Sequence, residues 1–131
     1  MKRTIRLLLL IAVVCYACED DQDNYTSTLP GSWFCEENSS QYGAANYYIE
    51  ISRSTLSDDV ILFGNFYHLG TGITVSAKIE HSSIEITTQT VSGFTISGTG
   101  TVSDGGNKIN LSFTADDNGD MDHVSAVLTR H

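Results

Sequence analysis

Apolar and polar residues alternate along most of the chain after residue 30, with the period of two that is typical of half-buried β-strands. In the segment FTISGTGTVS, Phe94, Ile96 and Val102 fall on one face, while threonines and serines fall on the other. Segments of this kind cover residues 32–37, 47–52, 60–67, 73–80, 83–87, 94–103, 108–115 and 123–130. The pattern therefore predicts eight strands, of which 60–67 is apolar on both faces.

The connections between these strands are too short to hold a crossover helix, so consecutive strands are expected to pair antiparallel. Residues 104–107, DGGN, are typical of a tight hairpin turn, because glycine adopts positive φ without strain. Gly98 and Gly100 lie inside a strand, where they weaken pairing unless a sharp bend requires them. These features favour an all-β fold, an eight-stranded antiparallel up-and-down β-barrel, with a two-sheet β-sandwich as the alternative.

The first 17 residues have the pattern of a secretory signal peptide. Three basic residues, Lys2, Arg3 and Arg6, precede an uncharged and mostly apolar stretch from 7 to 16. That stretch is shorter than the roughly 20 residues that a membrane-spanning helix needs. We therefore expect residues 1–17 to be removed from the mature protein.

The segment CYAC at 15–18 resembles a relaxed lipobox, in which the lipoprotein signal peptidase cuts before a cysteine that follows a small residue. Cys18 follows Ala17, whereas Cys15 follows the β-branched Val14. The resemblance implies that Cys18 becomes the lipidated first residue of the mature chain.

An acidic run follows this cysteine directly and consists of Glu19, Asp20, Asp21 and Asp23. A cysteine followed by such a run resembles the surface-export signal of Bacteroidota-type lipoproteins. The resemblance implies an outer-membrane lipoprotein that is held by its N-terminal lipid and exposed at the cell surface. Attachment that faces the periplasm is the alternative.

The charge of the chain limits its partners. The net charge is −9, and it becomes −12 without the basic residues of the leader. Such an acidic surface repels the phosphates of nucleic acids and anionic lipid headgroups. We expect no nucleic-acid partner, and membrane contact through the lipid anchor.

Three parts of the chain follow from these patterns. Residues 1–17 are the lipoprotein signal peptide, residues 18–28 are the lipidated cysteine with a polar, acidic tether, and residues 29–131 are the barrel domain. The last part is long enough for one hydrophobic core.

Motifs that would indicate catalysis are absent from the mature sequence, which has no G-x-S-x-G, H-E-x-x-H or Walker loop. Cys35 has no basic neighbour to activate it and is expected to be a buried, inert thiol. The loop DDNGDMD at 116–122 offers oxygen ligands of the kind that Ca²⁺ prefers, but Met121 and Val127 depart from the EF-hand pattern. We therefore expect no enzyme activity, no metal site and no cofactor.

The tripeptide GSW, residues 31–33, matches the G-x-W motif in the first strand of lipocalin-like (calycin) barrels. In that family the tryptophan packs at the closed end of the barrel against an arginine or lysine from the last strand. Strand parity places Trp33 and Arg130 on the inner face at the same end. The resemblance implies a lipocalin-like barrel closed by this pair, although the T-D-Y loop motif and the C-terminal helix of the lipocalins proper are missing.

Connections in such a meander alternate between the two ends of the barrel. The end away from the tether has the longer predicted connections, so it is the candidate ligand mouth. Its candidate residues are Tyr42, Asn46, Tyr67, His68, Gln89 and Asp120. One hypothesis is a barrel that binds a small apolar ligand or a glycan fragment. The alternative is a filled barrel that acts through surface-protein contacts, as an accessory subunit or in the manner of a protease inhibitor.

Overall fold

Eight antiparallel strands follow one another around a closed barrel in the computed structural model, which describes residues 25–131. They are β1 (Gly31–Ser39), β2 (Gly43–Arg53), β3 (Val60–Gly64), β4 (Thr74–Glu80), β5 (Ser83–Val91), β6 (Phe94–Ser103), β7 (Lys108–Asp117) and β8 (Asp120–Arg130). Each strand pairs with the next, and β8 closes the barrel against β1. The predicted eight-stranded up-and-down barrel is confirmed, and the alternative β-sandwich is excluded.

The apolar faces of the strands fill the interior of the barrel. Trp33, Phe63 and Ile96 are 0% exposed. The neighbouring inward side chains are exposed by 1% or less, namely Ile49, Ile51, Ile61, Val75, Ile109 and Leu128. A side chain that lined a void wide enough for water would expose area to that void. These side chains therefore leave no water-sized void beside them, as in an ordinary protein core.

Two glycines allow β6 to approach β7 closely. A Cβ atom added at Gly98 would lie 2.4 Å from the Cβ atom of Phe113 and 2.5 Å from the carbonyl oxygen of Ser112. A Cβ atom added at Gly100 would lie 2.5 Å from the carbonyl oxygen of Asn110. Real Cβ atoms do not approach other atoms this closely. The fold therefore requires glycine at both positions, because of the close approach of β7 rather than the sharp bend expected from the sequence.

The strand predicted for residues 60–67 is wrong in its last part, because β3 ends at Gly64. Asn65 and Tyr67 have φ values of 65° and 57°, in the left-handed region that no strand residue adopts. Residues Phe66–His68 form a 3₁₀ turn instead. The connection from β3 to β4 is therefore a folded loop that turns Phe66 back into the core.

The polypeptide that precedes β1 packs against the barrel. Residues Tyr25–Ser27 form a 3₁₀ turn, and Leu29 is fully buried. The indole Nε1 of Trp33 donates a hydrogen bond to the Leu29 carbonyl at 2.9 Å. The polar composition of residues 25–28 predicts a tether, whereas the structure packs these residues against the barrel.

The turn between β6 and β7 has the predicted form. Asp104, Gly105 and Gly106 have φ values of 59°, 67° and 94°. These left-handed conformations explain why two glycines occur together here. None of the helices formed by residues 25–131 is long and apolar enough to cross a membrane.

Candidate functional site at the polar end of the barrel

The inner face of the barrel changes from apolar to polar toward the end where β1 finishes and β8 starts. Glu37, Ser39 and Asp122 are buried there, with exposed fractions of 6%, 8% and 2%. We call this region the polar end; it also includes Tyr47 of β2 and the loop 65–73. Buried carboxylates cost free energy unless hydrogen bonds replace those to water. Their partners therefore decide what the polar end can do.

Asp122 accepts hydrogen bonds from four donors. Its Oδ2 atom accepts from the Ser39 hydroxyl and from the Tyr67 hydroxyl, each at 2.5 Å. Its Oδ1 atom accepts from the Ser40 hydroxyl at 2.9 Å and from the Gln41 backbone N–H at 3.1 Å. Burial acts to raise the pKa of Asp122, but these hydrogen bonds outweigh burial and hold the pKa below its usual value. An ionised Asp122 thus ties β8 to the β1–β2 turn and to the loop 65–73.

Glu37 is paired with Tyr47, whose hydroxyl donates a hydrogen bond to Glu37 Oε1. Burial raises the pKa of Glu37; the hydrogen bond from Tyr47 opposes this shift, and the negative charge of Asp122 adds to it. The His68 ring stacks on the Tyr47 ring, with centroids 5.0 Å apart and planes 9° from parallel. The two buried carboxylates of the polar end therefore have pKa shifts of opposite sign.

Cys35 lies one inward position before Glu37 and is completely buried. Burial raises the pKa of its thiol to about 12; a hydrogen bond with Tyr47 opposes the shift, and the charge of Glu37 adds to it. Only the thiolate is a strong nucleophile. Cys35 is thus protonated at neutral pH and has the inert character expected from the sequence.

The loop 65–73 plugs the polar end with aromatic rings. Phe66 is 1% exposed and packs against Phe63 and Phe113, with centroid distances of 5.6 and 4.5 Å. The Tyr67 ring meets the edges or faces of Phe94 and Phe113 at 5.4 and 5.8 Å in near-perpendicular geometry. Such tilted pairs are the favoured arrangements of aromatic rings. The polar end is therefore closed by packed side chains.

Four of the six predicted mouth residues lie at or beside the polar end. Tyr67 and His68 belong to the plug. Asp120 Oδ1 accepts a hydrogen bond from Gln41 Nε2 at 2.8 Å. Tyr42 lies in the β1–β2 turn and is 72% exposed. These four residues thus lie together at one end of the barrel, and their role as a ligand mouth stays a prediction.

The other two predicted mouth residues lie in the barrel wall. Asn46 is an exposed residue of β2, next to the inward Tyr47. Gln89 is a residue of β5, and its side-chain amide bonds both the N–H and the carbonyl of Ser76 at 3.0 Å, beyond the last β4–β5 backbone pair. Assigning either residue to the mouth is wrong, because β2 begins at Gly43 and β5 extends to Val91.

Burial of the polar residues at this end was not predicted from the sequence, although the alternation of inward and outward side chains along each strand indicates it. Trp33 and Cys35 face inward, so Glu37 falls on the same face of β1. Val124 faces inward, so Asp122 does as well.

The acidic loop at 116–122 spreads its side chains. Asp116 Oδ1 accepts the backbone N–H of Gly119 at 2.8 Å, while Asp120 and Asp122 bind separate partners. Within residues 25–131, no group of three or more His, Cys, Asp or Glu side chains is arranged to hold a metal ion.

At the opposite end, the structure brings Trp33 and Arg130 together. The two residues are partners in the β1–β8 ladder, and the guanidinium carbon of Arg130 lies 4.3 Å from the centroid of the Trp33 ring. The guanidinium also donates to four carbonyl oxygens, those of Thr28, Leu29, Pro30 and Gly106, at 2.8–3.4 Å. This end of the barrel is closed by the predicted pair.

The proposed lipidation site and export signal lie outside the described residues. These are Cys18, Glu19, Asp20, Asp21 and Asp23, together with the leader at 1–17.

Comparison with known proteins supports a small β-barrel as the class of this chain. The barrel of EF1p2_mFAP2b bound to DFHBI aligns with a TM-score of 0.58 and 12% identity, over 85% of this chain and all of that one. The redesigned β-barrel b11L5F_LGL aligns with a TM-score of 0.54 and 13% identity, over 86% of this chain and 99% of that one. No family model and no curated protein matches the sequence. At these identities the likeness shows the fold alone.

Proposed function

We propose that this chain is a non-catalytic, lipid-anchored interaction protein of the cell surface, with a filled barrel that serves as a rigid scaffold. The observation that carries the proposal is the packing of the barrel from one end to the other. Trp33 and Arg130 close one end, the Phe66 plug closes the other, and fully buried apolar side chains lie between them.

The cavities of the described part support binding on the outside of the barrel. Three shallow grooves of about 590, 610 and 480 Å³ lie on the outer wall formed by β5 to β8 and β1. Their outward side chains are mainly small and polar, including Ser97, Thr99, Asn110, Ser112 and Ser125. Hydroxyl and amide groups with little charge suit a glycan or a protein surface better than a phosphate-rich or lipid partner.

Orientation at the membrane follows from where the tether joins the barrel. The chain enters β1 beside Trp33 and Arg130, so a lipid on Cys18 would hold that end toward the membrane. The polar end and much of the outer wall would then face away from the bilayer. The acidic run after Cys18 supports surface exposure by its resemblance to an export signal.

A second candidate function has one observation in its favour. The plug residues Asn65, Tyr67 and His68 all have left-handed φ values, 65°, 57° and 58°. Such conformations are costly for residues other than glycine and often mark segments that move. A barrel that opens by displacing this plug would admit a small apolar ligand. EF1p2_mFAP2b, a barrel of similar fold, is bound to DFHBI.

Native mass spectrometry distinguishes the two candidates. The protein is expressed as the full chain with Cys18→Ser, exported, and purified from cells without detergent. We expect the bare polypeptide mass, because a packed interior leaves no room for a guest. A reproducible adduct of roughly a few hundred daltons, the size of a ligand that such pockets hold, would contradict the filled scaffold and favour the ligand carrier.

A further inference from the structure

The barrel wall has a notch where β2 loses its partner. β3 pairs only with residues Glu50–Arg53 of β2. Before Glu50, back toward Tyr48, β2 has no β3 partner. The Asn65 side chain takes up a β2 carbonyl there by donating from Nδ2 to the Tyr48 carbonyl oxygen at 2.9 Å. The notch has a volume of about 130 Å³ and is lined by Ser32, Tyr48, Ile49, Glu50, Gly64, Asn65 and Thr71.

Tyr48, which lines this notch, has an exposed aromatic ring. Tyr48 is 50% exposed although it lies in the middle of a strand. Its ring is flanked on the outer wall by Phe34 at 5.4 Å and His131 at 4.8 Å between centroids, both tilted. The face of a tyrosine ring carries negative electrostatic potential and attracts cations.

Glu50, whose side chain is exposed, lines the same notch. Glu50 and Tyr48 are two residues apart on the exposed face of β2, and the cross-strand partner of Glu50 is Ser32. Glu50 is exposed and forms no ion pair with any residue from 25 to 131. The only ion pair of that region joins Lys78 to Asp59. A positive charge in the notch would therefore find an uncompensated carboxylate beside an aromatic face.

We propose that this notch binds an organic cation, that is, an ammonium or guanidinium group. Three features fit this ligand: the ring of Tyr48 for the cation–π contact, the carboxylate of Glu50 for the charge, and a volume suited to one small head group. The net charge of −12 expected for the mature chain attracts cations from a distance as well. The cation is either a free small amine or a lysine or arginine side chain of a protein partner.

This inference goes beyond the proposed function, since it needs only the folded barrel and no lipid anchor. A failure of the cation site would leave the filled scaffold unaffected. The native mass measurement does not test the cation site, because a weakly bound head group is lost during purification.

Amide chemical shifts of the folded Cys18→Ser protein, followed by NMR at pH 8, test the site with choline as the probe. We expect saturable shifts at Tyr48, Glu50 and Thr71, with Kd on the order of millimolar, as befits one exposed cation site. Tyr48→Leu and Glu50→Gln should each weaken binding at least about threefold. The matched controls Tyr42→Leu and Glu85→Gln, which alter an exposed tyrosine and an exposed carboxylate elsewhere, should leave Kd unchanged.

The charge of the probe is tested with 3,3-dimethylbutanol, the uncharged isostere of choline. Binding as strong as that of choline, or shifts that ignore Glu50→Gln, would show a merely apolar notch and overturn the proposal. A lysine- and arginine-containing peptide forms the other arm of the experiment. Tighter binding of the peptide identifies a protein partner, tighter binding of choline identifies a small amine, and the absence of shifts with both overturns the proposal.

Discussion

Asp122 is a residue whose role is set by its partners rather than by its type. An aspartate in a hairpin is normally solvated, yet this one is 2% exposed and accepts hydrogen bonds from Ser39, Ser40, Gln41 and Tyr67. Hydrogen bonds to a charged group contribute about 1.5–3 kcal/mol each when the alternative is an unsatisfied partner. Asp122 therefore holds the loop 65–73 to the barrel by a hydrogen bond, whereas most of the barrel interior is held by apolar packing.

Glu37 should destabilise the fold at neutral pH, and the effect should depend on pH. Because burial raises its pKa in the folded state, the folded protein binds more protons than the unfolded chain above the unfolded pKa of about 4.3. Stability is therefore lost as the pH rises through the folded pKa. Glu37→Gln keeps an oxygen that accepts the Tyr47 hydrogen bond but removes the charge. The variant should be more stable than the parent at pH 7 and equal to it below about pH 4.

Urea denaturation at several pH values measures this difference. Glu36→Gln is the matched control, because Glu36 is the neighbouring residue on β1 and faces solvent. Its effect at pH 7 should be small, because the side chain faces solvent. A Glu37→Gln variant that is less stable than the parent at pH 7 would show that the ionised carboxylate stabilises the barrel.

Parity shows that Glu37 and Asp122 face inward, but no sequence pattern reveals which donors meet them. Tyr67 is 55 residues from Asp122 in the chain, and Ser39 is 83 residues away. These contacts depend on closure of the barrel and on the loop 65–73. The location of the site could thus be predicted from the sequence, while its hydrogen bonding could not.

At the scale of the element, β6 and β7 show how one pair of strands shapes the barrel. Gly98 and Gly100 face Phe113 and Leu111 across the ladder, and both lack space for a methyl group. The strands can cross this closely only because no side chain separates them. The alternation of apolar and polar residues predicts the strands. The two glycines at inward positions of β6 mark where β6 and β7 approach each other closely.

Gly98→Ala should destabilise the protein by about 1–3 kcal/mol or more, because the added methyl group would overlap Phe113 and the backbone of β7. Gly72→Ala is the control, since nothing lies within 4 Å of an added Cβ there and its φ is not positive. That variant should remain within about 0.5 kcal/mol of the parent. Chemical denaturation measures both, and equal stability of the two variants would argue against the close approach.

The strands could be predicted because each has a continuous period of two, and this pattern held for seven of the eight segments to within a few residues. The exception, 60–67, has apolar residues on both faces and so has no period that marks where the strand ends. Its end depends on left-handed conformations at Asn65 and Tyr67. Asparagine adopts that region fairly often, but tyrosine does so rarely, and only the packing of Phe66 explains it here.

At the scale of the whole molecule, the anchor hypothesis divides the chain into a lipid, a tether and a scaffold. Its critical residue is Cys18, and the chain provides its own control in Cys15. In a host that processes lipoproteins, metabolic labelling with a fatty-acid analogue should mark the parent and the Cys15→Ser variant. Cys18→Ser should abolish the label, because the variant lacks the thiol that would carry the lipid. Label that survives in Cys18→Ser would contradict the anchor.

The clamp formed by Arg130 has a mechanical consequence. If the proposed lipid anchor holds the chain, tension on it would reach the barrel at residues 28–30, whose carbonyls accept hydrogen bonds from the Arg130 side chain. Because Arg130 belongs to β8 and also donates to the Gly106 carbonyl, the first strand would share that load with the last strand and with the β6–β7 hairpin. We therefore expect the Arg130 contacts to make β1 harder to pull away from the barrel.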